Sequence, residues 1–321
     1  MPFLYCMKRV FLVMIALLAL KGTVWAQYDA QFSQYFMAMG YYNPAYAGTS
    51  GKLNFFGLHR QQWVGWTGAP KSFFVTGDMP LSVKKINLGI GAVLFTESIG
   101  LFNNSHFAAQ IAYKHKLFGG TLSIGLQPGI ANISFNGADI EIPTSDYHQK
   151  EDEAIPNVEV SGMGFDLNAG IYYTHKHFYV GIGAMHVMEP ELELDENIYT
   201  YIGKSYNLTG GYNIQLRNPL YELQPSVFLK TDMQSFQADI TARMVYNKMF
   251  NGGLSWRVNE SLVFLLGATF GNIQVGYAYD FPINSAILKA TSGSHEVLVR
   301  YQLKLDKTKS GMYKHKSVRI L

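Results

Sequence analysis

The chain has 321 residues, with 26 Lys and Arg against 23 Asp and Glu, one Cys, only 15% charged residues, and 21 Tyr and 21 Phe. A soluble domain usually carries about a quarter charged residues, so low charge with 31 Gly and many aromatics implies a surface that does not face water everywhere. The net charge of +3 gives no footing for nucleic-acid binding, because it disappears with the first 26 residues: without Lys8, Arg9 and Lys21, 23 basic residues face 23 acidic ones.

Residues 1–26 read as a secretory signal. Lys8 and Arg9 are followed by an apolar core over 10–20, and Val24 and Ala26 form a small-residue cleavage site. The core is shorter than the ~20 residues a membrane-spanning helix needs. Cys6 precedes it, so there is no lipoprotein cysteine, and the mature chain has no disulfide framework. Residues 27–51 form an N-terminal extension, periplasmic or lumenal. Within it Asn43-Pro44-Ala45 reads as a plain turn that Gly48 closes, since no second copy or half-helix supports a water-channel reading.

From residue 52 to 305 the dominant signal is period-two alternation. In YNLTGGYNIQL, Tyr206, Leu208, Tyr212, Ile214 and Leu216 are apolar, while Asn207, Thr209, Asn213 and Gln215 are polar. IQVGYAYDF puts Ile273, Val275, Tyr277, Tyr279 and Phe281 on one face. Alternation of this kind marks strands with two unlike faces. The second face carries Gly, Ala, Asn, Gln and Ser, where a solvated sandwich would carry Lys, Glu and Thr. Small polar residues inside, with aromatics and aliphatics towards lipid, signify an all-β, antiparallel transmembrane β-barrel. Fourteen strands are expected, centred near residues 56, 75, 91, 110, 126, 168, 182, 209, 227, 241, 254, 265, 277 and 299. Lipid leaves no backbone group unpaired without cost, so the sheet has to close.

Connections at 117–120, 174–177, 217–221, 247–250 and 270–272 are short and carry Lys116, His175, Lys176, His177, Arg217 and Lys248; those between them are mostly longer. The two longest, 134–160 and 187–203, are acidic. Short periplasmic turns and long outer loops are the usual asymmetry, and an even strand count leaves both barrel ends in the periplasm. The tail 306–321 is basic, and reads as a solvated end or as a docking segment for an acidic partner.

No catalytic motif is present: GxSxG, HExxH, CxxC and phosphate loops are all missing, so no enzyme activity or cofactor is expected. Ser105 and His106 are adjacent in a strand and would point to opposite faces. His175 and His177 supply two metal donors at a wet turn, and Glu189, Glu191, Glu193, Asp195 and Glu196 lack the Gly-bearing spacing of a calcium loop. No metal site is expected.

The stretch HRQQWVGWTGAPKSF (59–73) falls at the first outer connection. AQFSQYF, YYNPAYAG, the frame Arg60-x-Gln62-Trp63-x-Gly65-x-x-Gly68-Ala69-Pro70 and a strand ending at DMPL together resemble the PorP/SprF family of outer-membrane proteins of the type IX secretion system. The end of the chain, YDF followed by SGSHEVLVRYQL, is similar to the family's terminal strands, whereas the basic tail departs from barrels that stop at an aromatic. The resemblance implies a barrel in the outer-membrane lipid, working with other type IX components to export or attach cargo proteins such as gliding adhesins. It implies no enzymatic activity, cofactor, small-molecule substrate or nucleic-acid partner. The pattern positions Asn43, Pro44, Ala45, Gly48, Arg60, Gln62, Trp63, Gly65, Gly68, Ala69 and Pro70 as an interaction or structural motif. Trp66 lies outside it and suits a rim anchor. Arg60 and Trp63 are expected to contact the lumen, the N-terminal segment or a secretion partner. The competing readings are a channel for small molecules and an adhesive barrel with acidic outer loops.

Overall fold

The computed structural model describes residues 29–140, 156–195, 198–284, 288–289 and 291–305. The expected signal segment and basic tail lie outside the described residues. The strands are β1 (Leu53–Gln61), β2 (Lys71–Val83), β3 (Ile86–Ile99), β4 (Phe102–Leu117), β5 (Gly120–Asn136), β6 (Glu159–Thr174), β7 (Phe178–Met185), β8 (Glu191–Asp195) and β9 (Ile198–Tyr201). They continue with β10 (Ser205–Tyr212), β11 (Ile214–Gln215), β12 (Tyr221–Thr231), β13 (Phe236–Tyr246), β14 (Phe250–Arg257), β15 (Ser261–Phe270), β16 (Ile273–Pro282) and β17 (Ser294–Leu303).

Sequence neighbours pair antiparallel around the wall, β17 pairs β1, and β10 pairs both β7 and β12, which closes a fourteen-stranded ring. All fourteen expected strand centres fall inside ring strands. Two-residue β11 extends the pairing of β12, and β8–β9 form a separate hairpin. That hairpin lies within 187–203, which the sequence reads only as loop. Its Leu192 and Leu194 bury against Ala131, Ile133 and Val160 on the inner face of β5 and β6, while Glu191 and Glu193 stay exposed. Period two operates here over five residues, too few to separate a strand from a polar loop.

Alternation sets the two faces. In β1, Asn54, Phe56, Leu58 and Arg60 point in and Phe55 points out; in β16, Ile273, Val275, Tyr277 and Phe281 face out and Asp280 faces in. Outward Leu94, Phe107, Ile111, Ile130, Leu254 and Leu266 extend the exposed apolar band around the wall, as lipid requires. One end of the barrel (the turn end) carries the start of β1, the end of β17 and the short turns. The opposite loop end carries the long connections, though its links at 100–101, 232–235 and 258–260 are as short as the turns.

A lumen filled by the N-terminal segment

Residues 29–51 run through the lumen from the loop end to the start of β1. A helical turn, α1 (Met39–Tyr42), leads into a 3-10 turn over Pro44–Tyr46 that Asn43 caps by accepting from the Ala45 N–H at 3.0 Å. Phe32, Tyr35, Met39, Tyr41 and Tyr42 are almost wholly buried, packed on inward Phe56, Phe74, Phe95, Phe228 and Leu298. Burying each such side chain is worth ~1.5–3 kcal/mol. The Tyr35 hydroxyl meets Ser226 Oγ at 2.8 Å and donates to Thr241 Oγ1 at 3.0 Å; Tyr42 donates to the Ala30 carbonyl at 3.1 Å. Burial pushes both phenols up in pKa, so they remain neutral donors.

Every ring strand touches this segment. On one side Gly48 N–H donates to Asp78 in β2, Gln110 in β4 donates to the Gly40 carbonyl, and Asn43 Nδ2 donates to the carbonyls of Ile171 in β6 and Ile182 in β7. On the other, Asn207 in β10 donates to the Tyr42 carbonyl, Lys230 in β12 to the Asp29 carbonyl, and Arg300 in β17 to the Met37 carbonyl. Phe95 in β3 packs on Phe32 and Tyr41, and Phe36 packs on Val263 and Leu265 in β15. In β5, a Cβ at Gly125 would overlap the Pro44–Ala45 backbone, so only glycine lets the turn sit against that wall. Among the described residues a cavity of about 40 Å³ remains, beside Asp29, His106, Asn168 and His186. It has room for a few waters.

Two polar clusters hold the segment near the loop end. In the first, Arg60 Nη2 donates to Asp280 Oδ2 at 2.7 Å and Nη1 to Ser33 Oγ at 2.8 Å, with Glu296 Oε2 at 3.4 Å. Arg257 meets Asp280 at 3.0 Å, Asp239 at 3.2 Å and Ser33 Oγ at 3.0 Å. Glu296 accepts the N–H groups of Ser33 and Gln34, both at 2.8 Å. Buried charges are tolerable only when paired and hydrogen-bonded, and here each of the two guanidinium groups meets two or more carboxylates. In the second cluster His186 bridges Asp166 at 2.8 Å and Asp29 at 3.0 Å, His106 lies 3.1 Å from Asp166, and Ser205 donates to Asp29.

The sequence matches the family model of the type IX secretion system membrane protein PorP/SprF over residues 24–301. The chain belongs to the PorP/SprF family. No curated protein sequence matches it. Similar solved structures include the Ralstonia pickettii toluene transporter TbuX, at 12% identity over 83% of this chain and 93% of that one, with a TM-score of 0.48. A Pseudomonas aeruginosa FadL homologue follows at 10% identity over 79% and 89%, TM-score 0.43. The β domain of the Bordetella autotransporter Brka has 14% identity over 79% and 100%, TM-score 0.36. As a PorP/SprF protein with a closed barrel and an outward apolar band, the chain resides in the outer membrane.

The motif positions of this PorP/SprF barrel separate into two places. Asn43, Pro44, Ala45 and Gly48 lie in the lumen against β2 and β5–β7. Arg60 is also lumenal, at the loop end of β1. Gln62, Trp63, Gly65, Gly68, Ala69 and Pro70 lie in the connection from β1 to β2 at the loop end. That loop is tied to its neighbours: Val64 N–H donates to the Gly293 carbonyl at 2.8 Å, Ser292 N–H to the Val64 carbonyl at 3.0 Å, and Gly100 N–H to the Gly68 carbonyl at 2.8 Å. Gln62 N–H closes the loop on the Pro70 carbonyl at 2.9 Å. The Trp63 N–H donates to Ser294 Oγ at 3.1 Å, and its φ of 46° is one a Trp adopts only when its surroundings impose it. Trp66 is half exposed and tilts on Trp63 at 6.0 Å. Ser33, Asp239, Arg257, Asp280, Glu296, Asp166, His186 and Asp29 were not singled out from sequence, and His106 was weighed only as the neighbour of Ser105. For the charged residues of the wall the signal is charge at inward positions of neighbouring strands, all near one end.

Proposed function

We propose that this barrel supports the export or surface attachment of particular cargo proteins of the type IX system, of the gliding or adhesin type, as a docking platform without enzymatic activity. The observation that carries this reading is the filled lumen. Among the described residues a segment touching all fourteen strands occupies the lumen, so contact with other type IX components and cargo falls to the surfaces at the two ends. The locked loop 62–70 and the β8–β9 hairpin supply a shaped loop end; Lys84, Lys85, Lys116, Lys176, Arg217 and Lys248 make the periplasmic end basic. The channel reading is disfavoured on the same ground.

The test is deletion of the chain followed by mass spectrometry of the secreted and surface-attached proteins. Loss of a defined subset of surface proteins, with bulk secretion intact, is expected. An unchanged surface proteome refutes the proposal.

A further inference from the structure

The wall is uneven at the loop end. β6 has 16 residues and β7 only 8, and their pairing stops at Ala169↔Ala184. One more bond, from Val187 N–H to the Leu167 carbonyl at 2.9 Å, ends the contact on that side. β5 covers the other side of β6 as far as Asn136↔Glu159. Alternate residues of a strand turn their backbone groups to the same side, so Glu159, Ser161, Met163 and Phe165 direct theirs as Leu167 does, away from β5. Among the described residues nothing pairs with them.

This leaves an open edge of seven residues, ~23 Å long. A crossing takes ~9–11 residues; counted from Thr174 it is complete near residue 164, so most of the edge projects beyond the lipid on the outer side. Proteins normally blunt such edges with Lys, Pro, a bulge or a covering element. Residues 159–167 hold neither Lys nor Pro, and the outward side chains of Met163 and Phe165 are 74% and 55% exposed. The inner face is backed by the β8–β9 hairpin, with Glu193 beside Gly162 and Leu192 beside Gly164, so the edge belongs to a rigid two-layer element. Glu159, Glu191 and Glu193 surround it with negative charge.

We infer that the β6 edge, residues 159–165, takes up an extended segment of a secreted partner protein by backbone strand pairing. Main-chain bonds supply the affinity in such additions, and alternate side chains the specificity. The partner segment is one that alternates apolar residues with Lys or Arg. Apolar side chains lie along Met163 and Phe165, and the basic ones answer the acidic surround. A second copy of this chain is a poorer occupant, because edge-to-edge pairing would crowd two acidic loop ends together. The inference rests on the proposed role in cargo attachment for the identity of the partner.

Two variants test it in the full-length protein in its own cells. Met163→Pro removes an N–H that bonds no described residue, and edge positions tolerate Pro. Met163→Lys leaves the backbone intact and adds the charge that normally guards an edge, so it decides the matter if the Pro variant fails to assemble. Each is compared with wild type and with the deletion strain by surface-proteome mass spectrometry, at barrel levels matched by heat-modifiable gel migration. A loss of at least ten-fold in the surface proteins that depend on the chain is expected. Wild-type surface levels in Met163→Lys cells, where deletion removes those proteins, overturn the edge inference and leave the proposed function standing. No change on deletion overturns both. A disulfide-linked dimer of Ser161→Cys on intact cells would assign the edge to a second copy and overturn the inference as well.

Discussion

Replacing Arg60 by Ala is expected to loosen the N-terminal segment without opening the barrel wall. Arg60 is 1% exposed, and its guanidinium joins Asp280 and Glu296 on the wall to Ser33 on the segment. Removing one partner of a buried ion pair costs ~3–5 kcal/mol, because the other charge stays buried and uncompensated. The lower end applies, since Asp280 keeps Arg257 at 3.0 Å and Glu296 keeps the Ser33 and Gln34 N–H groups. With each ~1.4 kcal/mol worth a factor of ten, ~3 kcal/mol raises the open population of the segment about 100-fold. Amide hydrogen exchange of residues 30–47 in detergent-solubilised protein at pH 7 reads that population directly. The strands should exchange as in wild type. Arg60→Lys keeps the charge but loses the two-pronged donor and should fall between. Exchange of residues 30–47 in Arg60→Ala within three-fold of wild type would refute the claim that this pair anchors the segment.

Gly125→Val places side-chain atoms where the Pro44–Ala45 backbone runs; a barrel that still shows heat-modifiable migration but exposes residues 30–47 to protease is the expected phenotype. Phe56→Ala, on the lumen side of β1, should cost ~3–5 kcal/mol in urea unfolding from liposomes, and Phe55→Ala on the lipid side far less; equal effects would contradict the assigned faces. His186→Gln removes the imidazole that bridges Asp166 and Asp29, so amide exchange at residues 29–33 should rise above wild type; unchanged exchange there would contradict its anchoring role.

The wall was legible because period-two alternation is local: each strand declares its own faces, and sequence neighbours pair. Residues 206–216 and 273–281 carry that signal without help from the rest of the chain. What fills the lumen was written less directly. Asn-Phe-Phe-Gly in β1, Ser-Phe-Phe-Val in β2 and Val-Leu-Phe in β3 put an aromatic or aliphatic residue on both faces. A water-filled lumen does not ask for Phe56, Phe74 and Phe95 to point inward, so these three marked where an apolar segment would dock. The Arg60 cluster was hidden for a different reason. Alternation places Arg60 inside, but which groups meet it across the lumen depends on closure between β1 and β17, 236 residues from Arg60 to Glu296. The β8–β9 hairpin was missed because five residues of alternation inside an acidic stretch look like a solvated loop.

Current through the wild-type protein in a planar lipid bilayer puts the filled lumen to the test most directly. A barrel whose fourteen strands all grip residues 29–51 should insert and stay closed, with conductance appearing only when that segment is displaced, as in Gly125→Val. A steady open-pore current through the wild-type chain would contradict it.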